Sequence, residues 1–266
     1  MKVIYAAPYL HETPVRDTDL LREEWDRPAA EELRKAFEEE LGLAVAGLKP
    51  KKVFLEGRPK GLDVTSDMIQ YAQNLTRIGS GLDPLQRILG NVAKEEGTTL
   101  EGMDHPGWHR IHGFLIRKGA RFDFLFRSAA RRFLLSNPSA SWPTLRGLAV
   151  LFVARGFIAS WHFFVFMPLN ALCTNARDFH MGRWIRKSAL DGINIAIYGA
   201  AHKPMRFVGV TGMEKLALRD MRHVRRQLDA IEALHSARDR EELTVILGKI
   251  DLPEVVKSRM KRPAGL

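Results

Sequence analysis

From Arg177 to His202 the chain spells out two secondary-structure elements and the turn between them. An Arg177-Asp178 pair opens a helical stretch reaching Leu190, Asp191-Gly192 makes a turn, and Ile193 to Tyr198 is an apolar run too short for a helix. That run stops at Gly199-x-x-His202, so it predicts a buried strand with an imidazole at its C-terminal edge. Buried apolar strands belong to parallel sheets, and ligands gather at the carboxyl edge of such sheets. Three earlier runs repeat the pattern. Lys2 to Ala7, stopped by Pro8, predicts a first strand, Lys52 to Glu56 a second and Thr98 to Met103 a third.

Helical periods separate these runs. Asp26 and Pro28 start a helix whose inner positions include Leu33, Phe37, Leu41 and Val45, and Gly47 and Pro50 close it. A second helix is expected over Ser66 to Arg77. A third opens at Asp83-Pro84 and stops at Gly97. Beyond His202 the sequence predicts a strand at Phe207 to Val210, a long charged helix from Met213 to Ser236, a helix from Arg240 to Lys249 and a frayed basic tail from Lys257. The expectation is one α/β domain over 1–266: a mainly parallel sheet with flanking helices, a helical insertion at about 108–176 and a C-terminal helical segment at about 213–262.

Composition narrows the functional classes. A single cysteine, Cys173, excludes an internal disulfide framework and a cysteine-based zinc site. The opening Met1-Lys-Val-Ile-Tyr has no secretory pattern, so a cytoplasmic location is the default expectation. The net charge of +10 invites phosphate-rich partners, but the basic residues are scattered and no RNP motif, zinc finger or helix-turn-helix accompanies them. Nucleic acid is therefore not the expected partner. From Gly147 to Ala176 the chain is apolar apart from a few polar groups, among them Arg155, His162 and Asn170. Those groups favour a buried helix, or one lying on a membrane surface, over a span. No GxSxG, Walker A or GxGxxG pattern occurs, which removes serine-hydrolase, P-loop and dinucleotide readings.

If the strands are parallel, His11 after strand one, Glu56 at the end of strand two, Asp104 after strand three and His202 after strand four meet on one rim. Two histidines and two carboxylates suit a hydrolytic divalent ion such as Zn, Mn, Co or Fe. The same residue types are common at strand ends for structural reasons. In the second constellation, His105-Pro-Gly-Trp-His109-Arg-Ile-His112, Pro106 would open a helix, His105 would cap it, and His109 and His112 would share a face. Asp178 is expected to cap the helix that it opens, while Arg177 could clamp a carboxylate or an oxyanion. His180, His223 and His235 are expected to be chemically idle.

The order Ala176-Arg-Asp-x-x-Met181, then an apolar strand ending Gly199-Ala-x-His-x-Pro204, resembles the TraB/PrgY/GumN family, grouped with the Tiki proteins in an EreA/ChaN-like superfamily. Val53-Phe-Leu-Glu56 is similar to its second-strand glutamate, with Arg58 or Lys60 near its basic position, and Leu100 to Asp104 to its third strand. The resemblance is sharp over about thirty residues and topological elsewhere. It implies a metal-dependent, hydrolase-like site carrying Glu56, Arg177, Asp178 and His202. It also implies a peptide or other small amide or ester as substrate, since Tiki members are metalloproteases and TraB and PrgY act in peptide-pheromone control. The N-terminus departs from the family's Gly-x-x-His: this chain has Ala6-Ala-Pro-Tyr9 or Pro8-Tyr-Leu-His11. With His11 in that role, His11, Glu56 and His202 would hold the ion, Arg177 would steady an oxyanion, and Asp104 or Asp178 would orient a partner. With Tyr9 there, a ligand is lost. The rival expectation is then an inactive relative that binds a peptide or an anionic membrane, reached through the apolar insertion. Oligomeric state is left open.

Overall fold

A computed structural model describes residues 1–9, 26–78, 84–111, 113–114, 167–200, 202–209, 212–219, 221–237 and 239–261. Its centre is a five-stranded sheet in the order β3-β2-β4-β1-β5: β1 (Lys2–Tyr9), β2 (Lys52–Pro59), β3 (Thr99–Asp104), β4 (Gly192–Gly199) and β5 (Met213–Ala217). Every neighbouring pair is parallel. The expected α/β class with a parallel sheet is what the chain adopts. All five strands therefore deliver their last residues to one rim.

The faces of the sheet separate by residue parity. Val53, Leu55, Ile195, Ile197 and Ala7 pack with Leu41 and Val45 of α1 (Asp26–Gly47), Met68 of α2 (Thr65–Ile78) and Leu85 and Leu89 of α3 (Pro84–Glu96). Ile4, Phe54, Ala196 and Tyr198 point the other way, onto Met181 and Ile185 of α4 (Met167–Ser188) and Ala189 just past its end. A third apolar cluster joins the N-terminal half of α1 to α5 (Met221–Ser236), α6 (Arg240–Lys249) and α7 (Glu254–Lys261).

Four expectations change. β1 does not stop at Pro8 but runs to Tyr9. Met1 and Tyr9 turn their carbonyls toward β4, accepting from Gly192 and Ala200, whereas Ala6 turns toward β5, accepting from Leu218. Pro8 shares the parity of Ala6, and the β5 ladder ends opposite Ala6. Its missing N–H therefore faces a side with no ladder partner to lose. Secondly, α4 begins ten residues before Arg177, so Arg177 and Asp178 lie mid-helix and Asp178 is not an N-cap. Thirdly, the strand beyond His202 is Met213–Ala217, not 207–210, and Pro204–Phe207 is a 3-10 turn, so the long helix starts only at Met221. Finally, Lys257 to Lys261, expected to fray, belong to α7, whose Val256 and Met260 are buried; the rest of the tail lies outside the described residues.

Most of the apolar stretch from 147 to 176, and of the insertion, lies outside the described residues. Among the described residues no helix is long and apolar enough to cross a membrane.

Candidate functional site

The rim of the sheet carries a buried ionic network. Glu56 sits where β2 leaves its ladder with β3, whose register breaks between Leu55 and Pro59. The break frees the carboxylate to turn toward β4, and its Oε2 accepts the Gly199 N–H at 2.5 Å. Gly102 makes the crossing possible, since a Cβ there would stand 2.1 Å from the Pro59 carbonyl oxygen. Asp104 is the last residue of β3 and is buried.

Arg177 reaches into this rim from α4. Its Nε and Nη2 donate to the two oxygens of Asp104, at 3.2 and 2.5 Å, a fork-to-fork pair. The same Nη2 donates to Glu56 Oε1 at 2.8 Å. Burial works against the guanidinium charge, but Asp104 and then Glu56 outweigh it and raise its pKa above the ordinary arginine value.

The Gly199-x-x-His202 spacing closes a tight turn in which the His202 N–H donates to the Gly199 carbonyl at 2.9 Å. The turn folds the imidazole back over the rim. There Nδ1 lies 2.6 Å from Asp178 Oδ1 and Nε2 lies 3.1 Å from Glu56 Oε1. Asp178 is itself fixed, because its Oδ2 accepts the Lys203 N–H at 2.7 Å. Gly182, one turn along α4, lets the returning chain lie on the helix: a Cβ there would be 2.4 Å from the Pro204 carbonyl oxygen. Burial opposes the imidazolium, yet hydrogen bonds to Asp178 and Glu56 raise its pKa to about 9. Burial, helped by the Asp178 charge, pushes the Tyr198 hydroxyl up to about 12, so it stays protonated.

Three of the four rim residues expected from the sequence, Glu56, Asp104 and His202, are therefore brought together, with Arg177 and Asp178 added. His11 and His112 lie outside the described residues. The second histidine constellation joins at its edge. Residues 106–111 are helical, and His105 Nδ1 accepts the Trp108 N–H at 3.4 Å, the expected cap. His109, with half its side chain exposed, places Nδ1 3.1 Å from Asp104 Oδ2. Two partners escaped sequence reasoning, the N–H groups of Gly199 and Lys203, because main-chain donors carry no side-chain signature.

Among the described residues no group of three or more His, Cys, Asp or Glu is arranged to hold a metal ion. A pair of donors does suit one: 3.1 Å between His202 Nε2 and Glu56 Oε1 is the spacing of neighbouring ligands, each about 2.1 Å from a shared ion. Asp178 on Nδ1 is the carboxylate that commonly orients a ligating histidine. No known protein family, curated protein or solved structure matches this chain.

Proposed function

We propose that the ionic cluster is the site of a divalent-metal-dependent hydrolase acting on a peptide or other small amide or ester, as the TraB/PrgY/GumN resemblance implies. The observation that carries the reading is the facing pair of Glu56 Oε1 and His202 Nε2, 3.1 Å apart, with Asp178 behind the ring. Glu56 and His202 would hold the ion, and His11 is the third ligand expected from the sequence. Bound there, the ion would supply Lewis acidity toward a scissile carbonyl. The protein's own groups have separable duties. Asp178 accepts the Nδ1 proton of His202 in a hydrogen bond and so orients the ring, whose Nε2 would exchange its own proton for the ion beside Glu56. Arg177 spends Nε and Nη2 on Asp104 and Glu56, which favours a positioning role over direct contact with an oxyanion. Asp104 orients His109, whose half-exposed ring is suited to carry a proton at the solvent side.

The test is the metal content of protein purified without chelator, beside the His202→Ala and Glu56→Gln variants, with circular dichroism to confirm folding. About one ion per chain, lost in both folded variants, is the expected result for a site of this kind. Equal retention in both would remove the hydrolase reading. A specific observation favours a second reading, the inactive binder of a peptide or an anionic membrane: both ring nitrogens of His202 already meet carboxylates. In that case the wild type holds no ion, and it either captures a peptide or floats with anionic vesicles.

A further inference from the structure

The outward side of α4 borders an open cleft of about 880 Å³ that shares no residue with the ionic network. Lys60, just past the end of β2, and Arg183, Arg186 and Lys187 of α4 bring positive charge to it; Phe179, Trp184 and Phe207 are its apolar surfaces. Among the described residues no acidic side chain lines it, and none of these four cations has a carboxylate partner. Some surface cations elsewhere do, among them Arg34 with Glu31, Lys49 with Glu96 and Arg226 with Asp251, while others such as Arg87, Arg225 and Lys249 have none among the described residues; what sets the cleft apart is four such cations around one concavity.

The helix dipole accounts for part of this. Arg186 and Lys187 stand in the last turn of α4, where cations are favoured. Arg183 is a turn earlier and Lys60 is on another element, so the dipole leaves both unexplained. Aromatic faces hold two of the cations in place of acids. The Arg183 guanidinium carbon lies 5.5 Å from the Phe179 ring centre, and Lys187 Nζ lies 5.8 Å from that of Trp184. The rings are themselves fixed. Trp184 Nε1 donates to Glu101 at 2.6 Å, and Phe179 meets Phe207 edge-on at 5.7 Å. His180, at the border of the cleft, feels the resulting field: burial, then His105, Lys60 and Arg183, lower its pKa.

Four unpaired cations in one concavity repel one another unless a ligand of several negative charges neutralises them. Guanidinium forks match phosphate oxygens, and an exposed ring face offers stacking to a second ring. The volume falls in the range of roughly 300–1,000 Å³ usual for small-molecule sites. We propose that this cleft binds a small phosphate ester carrying a planar ring, of which a nucleotide is the simplest case, with phosphates on Lys60, Arg183 and Lys187 and the ring against Phe179. The proposal stands apart from the hydrolase reading, since none of these residues touches Glu56 or His202.

The experiment is calorimetric titration of the full chain with ATP and with inorganic pyrophosphate, at low and high salt. Vesicles rich in phosphatidylserine are tested in parallel. Both soluble probes are expected to bind, more weakly at high salt. An Arg183→Gln/Lys187→Gln double variant should weaken both about tenfold or more, the loss of one charged hydrogen bond or greater. Removing the same charge far away, by Arg225→Gln/Lys249→Gln on α5 and α6, should change neither. Phe179→Ala should weaken ATP more than pyrophosphate, which loses only the support that the ring gives Arg183. These side chains are on the surface, so the variants keep the core intact. Four outcomes overturn the proposal: no saturable binding of either probe, equal losses in the two double variants, a Phe179→Ala effect equal on both probes, or binding to vesicles alone.

Discussion

Two arginines six residues apart on α4 live under opposite rules. Arg177 is buried to 4% exposure and ringed by Glu56 and Asp104; Arg183 is exposed, rests on Phe179 and has no carboxylate among the described residues. Helical spacing creates the contrast. Arg177, Asp178, Met181 and Ile185 share the side turned to the sheet, while Phe179, Arg183 and Arg186 share the side turned to solvent. The inner side is charge-closed, with each carboxylate answered by a cation. The outer side is charge-open. A closed buried network expresses itself in folding stability, whereas an open concave one expresses itself in binding.

The sharpest way to break the comparison is to remove Arg177. Arg177→Ala strands Asp104 and Glu56 in a buried rim, and loss of one partner of a buried pair costs about 3–5 kcal/mol. Chemical denaturation should register that loss, and Arg183→Ala should cost well under ~1 kcal/mol, as exposed charges do. Similar losses in the two variants would erase the distinction between the sides of the helix.

A second measurement uses the proton on His202. Its folded-state pKa is about 9, above the ordinary value of 6.5, so the ring gains stability on folding when it is charged. That contribution is fully present below pH 6.5 and is lost as pH climbs through about 9. Chelator-treated wild type should therefore lose stability over this window relative to His202→Gln. A flat difference between the two proteins from pH 6 to 10 would show that the imidazole is not held as an ion between Asp178 and Glu56.

Gly182→Ala is the subtler probe of the same side. Alanine favours a helix over glycine by about 1 kcal/mol, but overpacking against the Pro204 carbonyl oxygen costs roughly 1–3 kcal/mol. The net expectation is modest destabilisation, together with displacement of His202 from Asp178, read by NMR as a drop in the imidazole pKa. A stabilised variant with an unmoved imidazole would show that the returning chain yields freely.

How far this arrangement was legible follows from where its information resides. The convergence of Glu56, Asp104 and His202 was readable because strand runs and their end residues are local patterns, and parallel strands necessarily end together. The role of Arg177 was only half readable: the Arg-Asp pair stands out, but its acidic partners are 121 and 73 residues away. The Met213–Ala217 strand was hidden because its exposed, charged sequence follows no apolar alternation; its place beside β1 is a tertiary decision. The start of α4 was missed because Asp178 looked like a cap, a residue preference shared by mid-helix acids that have a distant partner. Basic residues of the cleft were visible as composition but not as a group, since Lys60 joins them only through the fold.

The smallest expected effect belongs to the outer side and sharpens what its openness means. Burial and the neighbouring His105, Lys60 and Arg183 hold the His180 pKa below 6.5, so the folded state resists a proton that the unfolded chain accepts. The sign is opposite to that of His202: the associated stability is intact above pH 6.5 and erodes as pH falls below it. His180→Gln should remove a small part of the acid-side loss of stability and change nothing at pH 8. Pyrophosphate in the cleft would neutralise Lys60 and Arg183, which should raise the His180 pKa, seen in its ring proton shifts, and shrink that acid-side loss. If pyrophosphate binds while the His180 titration stays where it was, the anion has settled elsewhere, and the unpaired cations of α4 are a solvated surface rather than half of a site.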